Sequence, residues 1–165
     1  MTENLKTINN IKDIEKIKNS YKEKQKQFDY EVLICSGAGC ISSECDVVKN
    51  ALDTALEKLK PNKKIDIKLT GCMGTCNIGP AMIIKPGNVF YCNLEPGNME
   101  SIVQTHIIDG MIASEFCYKD AKTDKPIPCV EDIDFFNNQQ KIVLKNCGSI
   151  DCLSLEEYIA NDGYI

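Results

Sequence analysis

The sequence has no arginine; every one of its 19 basic residues is a lysine. Without guanidinium forks the chain loses the bidentate grip on phosphate or guanine that nucleic-acid readers use, and its formal net charge of −5 is an acidic excess. Nucleic acid is therefore excluded as a partner. Long apolar runs are missing too. None approaches the roughly 20 residues that a membrane helix needs, which excludes membrane insertion. The opening stretch, Met1-Thr2-Glu3-Asn4-Leu5-Lys6, lacks the apolar segment of a signal peptide and points to a cytoplasmic product. Histidine occurs once, and no internal repeat or low-complexity tract is present.

Cysteine, by contrast, is abundant: ten in 165 residues. In a cytoplasmic chain that density favours a metal or redox site over a disulfide framework. Hydrophobic residues at 43% and charged residues at 26% are ordinary for a globular chain, and the length suffices for a buried core with appendages.

The pattern divides the chain at 1–29, 30–110 and 111–165. The first segment holds seven Lys against five Asp or Glu. Leu5, Ile8, Ile11, Ile14 and Ile17 recur every three residues, with Tyr21 four further on, so the spacing predicts an amphipathic helix. Its stripe either covers its own domain or docks another subunit. In the second segment Glu31–Cys35 reads as a buried strand, followed by the small-residue loop Ser36-Gly37-Ala38-Gly39-Cys40. A helix follows, opened by a Ser43–Asp46 capping box, buried through Val48, Ala51, Leu52, Ala55, Leu56 and Leu59, and ended by Pro61. Ile65, Ile67 and Leu69 alternate with Asp66 and Lys68, predicting a strand with one covered face. Ala81–Ile84 and Val89–Cys92 flank a Pro-Gly turn as a hairpin. A second helix uses Met99, Ile102, Val103, His106 and Ile107 and stops at Gly110. The order β-α-β then β-β-α, with a parallel crossover and a mixed sheet, is that of an α/β, thioredoxin-like fold. The third segment starts as a weakly patterned linker (111–140). It continues with a strand at Lys141–Lys145 and a helix at Leu155–Ala160, capped by Ser154 and Glu157 and stopped by Gly163.

Four cysteines fall in the loops that leave the two parallel strands at their carboxyl ends, where open α/β sheets place ligands. Cys35 and Cys40 enclose four residues; Cys72 and Cys76 enclose three. Two converging thiolate pairs are what a binuclear iron–sulfur cluster needs, two ligands per iron. Gly37, Gly39, Gly71 and Gly74 suit close backbone approach to such a cluster, with N–H groups free to face sulfur. Structural zinc tolerates the same spacings and stays open as a zinc-stabilised interaction module. A dithiol redox site usually shows Cys-x-x-Cys opening a helix, and simple buried thiols are a further alternative. Of the remaining candidates, Cys92 and Cys147 read as buried, and Cys117, Cys129 and Cys152 as exposed thiols. His106, Phe90 and Tyr91 read as core.

Cys35-Ser-Gly-Ala-Gly-Cys40, Gly71-Cys-Met-Gly-Thr-Cys76 and Gly79-Pro80 resemble the thioredoxin-like 2Fe–2S ferredoxin family. Beyond Tyr30 the chain also resembles the N-terminal segment of the NADH-binding flavoprotein subunit of cytosolic NAD(P)-linked, often electron-bifurcating, iron-only hydrogenases, relatives of the complex I flavoprotein subunit. There, Lys141-Ile-Val-Leu-Lys-Asn-Cys-Gly148 and Ser154-Leu-Glu-Glu-Tyr-Ile-Ala160 look like the lead-in to a flavin domain. The resemblance implies Cys35, Cys40, Cys72 and Cys76 as cluster ligands, and Pro80 at the cis-proline position of thioredoxin folds. It implies an electron-transfer module whose partners are the other iron–sulfur and flavin subunits of a redox complex, with a homodimer as a further expectation. FMN, NAD(P)H and a 4Fe–4S cluster would belong to sequence after Ile165, so the chain is expected to be a fragment, not catalytic alone. A stand-alone ferredoxin fits the first motif equally. Cys152 stands where the flavoprotein family usually has proline, and Cys45 and Cys117 match nothing in it.

Overall fold

The apolar run at Tyr30–Cys35 forms strand β1, in which Val32, Leu33 and Ile34 are fully buried. A strand without polar alternation needs cover on both faces. The computed structural model, which describes Ile8 and residues 10–164, supplies that cover. β1 lies inside a four-stranded sheet of order β2-β1-β3-β4, with β2 at Ile65–Thr70, β3 at Met82–Lys85 and β4 at Val89–Tyr91. β1 and β2 are parallel, in register from Tyr30 against Ile65 to Cys35 against Thr70. β3 is antiparallel to β1 and to β4, which makes the sheet mixed, as the element order predicts. The Gly79–Pro80 bond is cis, as expected, and so is Lys85–Pro86 in the hairpin turn.

The β1–β2 crossover contains α2 (Ala38–Ser42) and α3 (Cys45–Leu59), the latter burying Cys45, Val48, Leu52 and Ala55. The Ser43–Asp46 capping box does not form. Ser43 instead caps the C-terminus of α2, its N–H already donated to Gly39 O at 3.0 Å, and α3 starts after Glu44 with no side-chain cap. α4 (Met99–Ile102) runs directly into a π-helical stretch, Val103–Ile108, and this continuous helix buries the predicted face. His106 sits in the core with Nδ1 2.7 Å from the Tyr91 hydroxyl, and burial holds its pKa below the ordinary value. Gly110, with φ at 70°, ends the helix.

Past Gly110 the chain packs on the domain instead of running free. β5 (Tyr118–Lys119) and β6 (Pro126–Ile127) make a two-stranded ribbon, and α5 (Asp134–Asn137) follows. Cys92 N–H donates to Phe116 O at 3.0 Å and Phe90 N–H to Pro128 O at 2.8 Å, which satisfies the β4 edge. At the opposite edge Cys152 N–H donates to Leu69 O at 3.1 Å, and Asp151 bridges Thr70. The predicted strand Lys141–Lys145 is a turn segment with Ile142 and Val143 77% and 92% exposed. No ladder is offered to it among the described residues, and a β-branched run alone does not hold a strand. α6 (Leu155–Ala160) forms as predicted, Ser154 Oγ accepting from Glu157 N–H at 3.1 Å. Among the described residues, no helix is long and apolar enough to cross a membrane.

α1 covers Ile11–Gln25, shorter at its start than the apolar stripe implies, because Asn10 caps it by accepting from Lys12 N–H at 3.0 Å. Ile8 precedes the helix and is exposed; Leu5 lies outside the described residues. α1 packs on α6, so its stripe covers this chain's own structure. Together they cover the β2 face that alternation assigns to solvent. Lys68 there is only 4% exposed, its Nζ 2.8 Å from Glu157, 2.9 Å from Glu31 and 3.0 Å from the Tyr21 hydroxyl. Burial pushes the Lys68 ammonium down, but its bonds to Glu157, Glu31 and Tyr21 outweigh this and hold its pKa above the ordinary value. Burial pushes the Glu31 carboxyl up, yet hydrogen bonds from Lys85 and Lys68 win and keep it below its ordinary 4.5.

Removing one partner from such a network strands the other charges. Lys68→Met should therefore cost about 3–5 kcal/mol in denaturant unfolding. Since Glu31 is depressed in the folded state, its stabilisation is present above 4.5 and is lost as pH falls through the lower folded value. Glu31→Gln should flatten the acid limb of the stability profile, read by thermal unfolding between neutral and acid pH.

Candidate metal centre

Parallel pairing of β1 with β2 puts their carboxyl ends side by side, and the cysteines follow from that. Cys35 closes β1, Cys40 lies in α2, Cys72 comes two residues after β2, and Cys76 opens a 3-10 turn, Cys76–Ile78. Cys35 and Cys40 are buried, Cys72 is half-buried and Cys76 exposed. Ser36 ties the loops together: its N–H donates to Thr70 O at 2.9 Å, and its hydroxyl donates to the same oxygen at 2.8 Å.

The two loops touch where glycines leave no side chain. A Cβ on Gly37 would sit 2.8 Å from Cys72 Cβ, one on Gly39 2.9 Å from Cys76 Sγ, and one on Gly79 2.9 Å from Cys40 Sγ. All three separations are too short for real carbon atoms, so the loops interlock only without those side chains. Of the other predicted glycines, Gly74 (φ 91°) directs its N–H to Cys72 Sγ at 3.3 Å. Gly71 serves a different neighbour: its Cβ would meet Cys147 Sγ at 2.7 Å.

The thiols form two pairs. Burial raises the Cys40 thiol to about 12, helped by neighbouring Cys35. The nearby Cys72 raises Cys76, with a smaller contribution from Cys35 across the loops. Among the described residues no three His, Cys, Asp or Glu side chains close on one ion. Two thiolates for each of two irons is the donor arrangement of a binuclear cluster, and the cations would offset the repulsion that opposes a second deprotonation in each pair. The donor set and the glycine cradle therefore fit such a group.

Other residues depart from the sequence reading. Cys117 is buried, because Tyr91 and Cys117 bridge along the β4 edge, and burial pushes its thiol up to about 12. Cys147 is half-buried against Gly71 and Cys129 is half-buried, whereas Cys152 is exposed as its polar surroundings suggest, with Sγ 3.9 Å from Ser36 Oγ. Cys147 and Cys152 thus border the ligand loops. Their spacing equals that of Cys35 and Cys40, a signal already present in the sequence. Sequence reasoning also missed Thr75, which lies within the Gly71–Cys76 motif and is 9% exposed. It also lines a cavity of about 240 Å³ with Cys76, Phe90, Tyr118, Phe135 and Phe136.

The sequence profile of the thioredoxin-like 2Fe-2S ferredoxin family matches residues 7–106. A 2Fe-2S ferredoxin of Clostridium pasteurianum is 31% identical over 64 residues, 37% of this chain and 63% of that protein. One of Aquifex aeolicus is 37% identical over 41 residues, 25% of this chain and 37% of that protein. The chain thus spans less than two thirds of the length of these curated relatives. A solved thioredoxin-like 2Fe-2S ferredoxin from Aquifex aeolicus superposes with a TM-score of 0.47 at 20% identity, over 58% of this chain and 94% of that one.

The interlocked loops give a direct test. Gly37→Ala and Gly39→Ala should each weaken iron retention roughly 10–100-fold, the size usual for changes just outside a ligand shell. Gly97→Ala, where an added Cβ meets nothing within 4 Å, should leave iron content after anaerobic loading unchanged.

Proposed function

The chain belongs to the thioredoxin-like 2Fe-2S ferredoxin family, and from that premise we propose that Cys35, Cys40, Cys72 and Cys76 hold one 2Fe–2S cluster and that the protein transfers single electrons. The observation that carries this reading is the pair of loops pressed together at Gly37 and Gly39, each against a cysteine of the other loop. When bound, the cluster supplies a one-electron couple. The protein's residues do the rest. Buried Cys35 and Cys40 anchor the inner side and exclude water from it. Half-buried Cys72 and exposed Cys76 form the outward side, so electrons would enter and leave there. Gly74 N–H donates to Cys72 Sγ, which stabilises that sulfur as thiolate.

We further read the chain as a cytoplasmic module of an NAD(P)H-linked oxidoreductase of the hydrogenase flavoprotein kind. The support is the resemblance of Lys141–Gly148 and Ser154–Ala160 to the lead-in of a flavin domain. In that setting FMN, NAD(P)H and a 4Fe–4S cluster belong to other parts of the assembly, and flavin or iron–sulfur subunits are the partners. A stand-alone electron carrier is the second reading, favoured by the curated relatives, which are ferredoxins by name.

Anaerobically purified protein should be red-brown and contain the two irons and two sulfides that define the cluster. It should accept one electron, and serine at any of the four positions should deplete the cluster, whereas Cys92→Ser should not. Colourless protein with stoichiometric zinc would overturn the assignment. Co-migration with flavin-containing subunits from an anaerobic extract distinguishes the larger assembly from the lone carrier.

A further inference from the structure

Among the described residues a single buried side-chain oxygen or nitrogen has no hydrogen-bond partner, and it is Thr75 Oγ1. The nearby buried hydroxyl of Thr70 shows the normal case, accepting from Gly148 N–H at 2.9 Å. Leaving a hydroxyl buried and unpaired is costly, and valine would fill the same space without that cost. Thr75 sits inside the Cys72–Cys76 loop, immediately before Cys76. The backbone donor Gly74 N–H is already committed to Cys72 Sγ. A neutral thiol is a weak acceptor, whereas thiolate and sulfide sulfurs carry negative charge and accept more strongly.

We propose that the Thr75 hydroxyl donates a hydrogen bond to a sulfur of the 2Fe–2S group held by the Cys72–Cys76 loop and thereby raises its reduction potential. This inference rests on the cluster reading above. Reduction adds one negative charge to the group. A donor aimed at its sulfur stabilises the reduced form more than the oxidised one. Thr75 is thus a tuning residue, and neither a ligand nor a catalytic group.

The test compares the holoprotein with Thr75→Val and Thr75→Ser by redox titration, alongside iron and sulfide analysis. Thr75→Val should shift the equilibrium about tenfold toward the oxidised form, equivalent to a potential about 59 mV lower for one electron. Thr75→Ser should stay near wild type. A fully loaded Thr75→Val protein with an unchanged potential overturns the inference. Should Thr75→Val fail to load, pulsed EPR of reduced, uniformly ¹⁵N-labelled wild type decides. A strongly coupled exchangeable proton with no coupled nitrogen is the hydroxyl, and its absence overturns the inference equally. Wild type without iron and sulfide sinks the cluster reading itself, an outcome distinct from both.

Discussion

The separation of two loops depends on the absence of side chains at Gly37, Gly39 and Gly79. Each would place a carbon within 2.9 Å of an atom of Cys72, Cys76 or Cys40. Close contact alone would not form a site. The loops must also be delivered to the same place, and the parallel β1–β2 pair does this by ending both strands level, Cys35 opposite Thr70. The crossover through α2 and α3 then returns the chain with Cys40 buried beneath Gly79. Ser36 bonds to Thr70 O through both its N–H and its hydroxyl, fixing one loop to the strand that launches the other. Secondary structure, crossover and glycine placement thus act on one distance.

The same strand connects the site to the charged cluster on the far side of the sheet. β1 carries Glu31 at its beginning and Cys35 at its end. Glu31 bonds Lys68 of β2 at 2.9 Å and Lys85 of β3 at 2.8 Å, so the adjacent strands β2, β1 and β3 are cross-linked by charge near the end remote from the thiols. Lys68 tolerates burial because Glu31 and Glu157 compensate it from two different elements. Glu157 belongs to α6, which makes this late segment structurally part of the sheet's cover.

Most of the sheet was legible in the sequence, because each strand has a local cause. Three successive buried aliphatics define β1, and the Pro-Gly turn defines the hairpin. The helix positions at Met99, Ile102, Val103, His106 and Ile107 share one face. The cysteine loops were legible for the same reason: short spacing and small residues are local properties. What escaped was set by contacts distant in sequence. Lys68 reads as a solvent-facing residue until α1 and α6, formed from opposite ends of the described chain, cover it. Cys117 reads as exposed until it meets β4. Lys141–Lys145 has strand composition, but composition cannot supply the neighbouring ladder. The Ser43–Asp46 capping box failed for a nearer reason, since α2 had already used the Ser43 backbone.

The two thiol pairs occupy unequal surroundings, and that inequality bears on how a bound cluster would work. The inner pair is shielded and sits on a central strand, where low local polarity disfavours added negative charge. The outer pair lies in a loop with an exposed sulfur, an amide donor at Gly74 and a buried hydroxyl at Thr75. Donors and solvent both favour negative charge on this outer side. That is also the side open to solvent. The inner loop therefore supplies rigidity and the outer loop supplies electrostatics and access, a division that follows from burying one end of a parallel strand pair while leaving the adjoining loop at the surface.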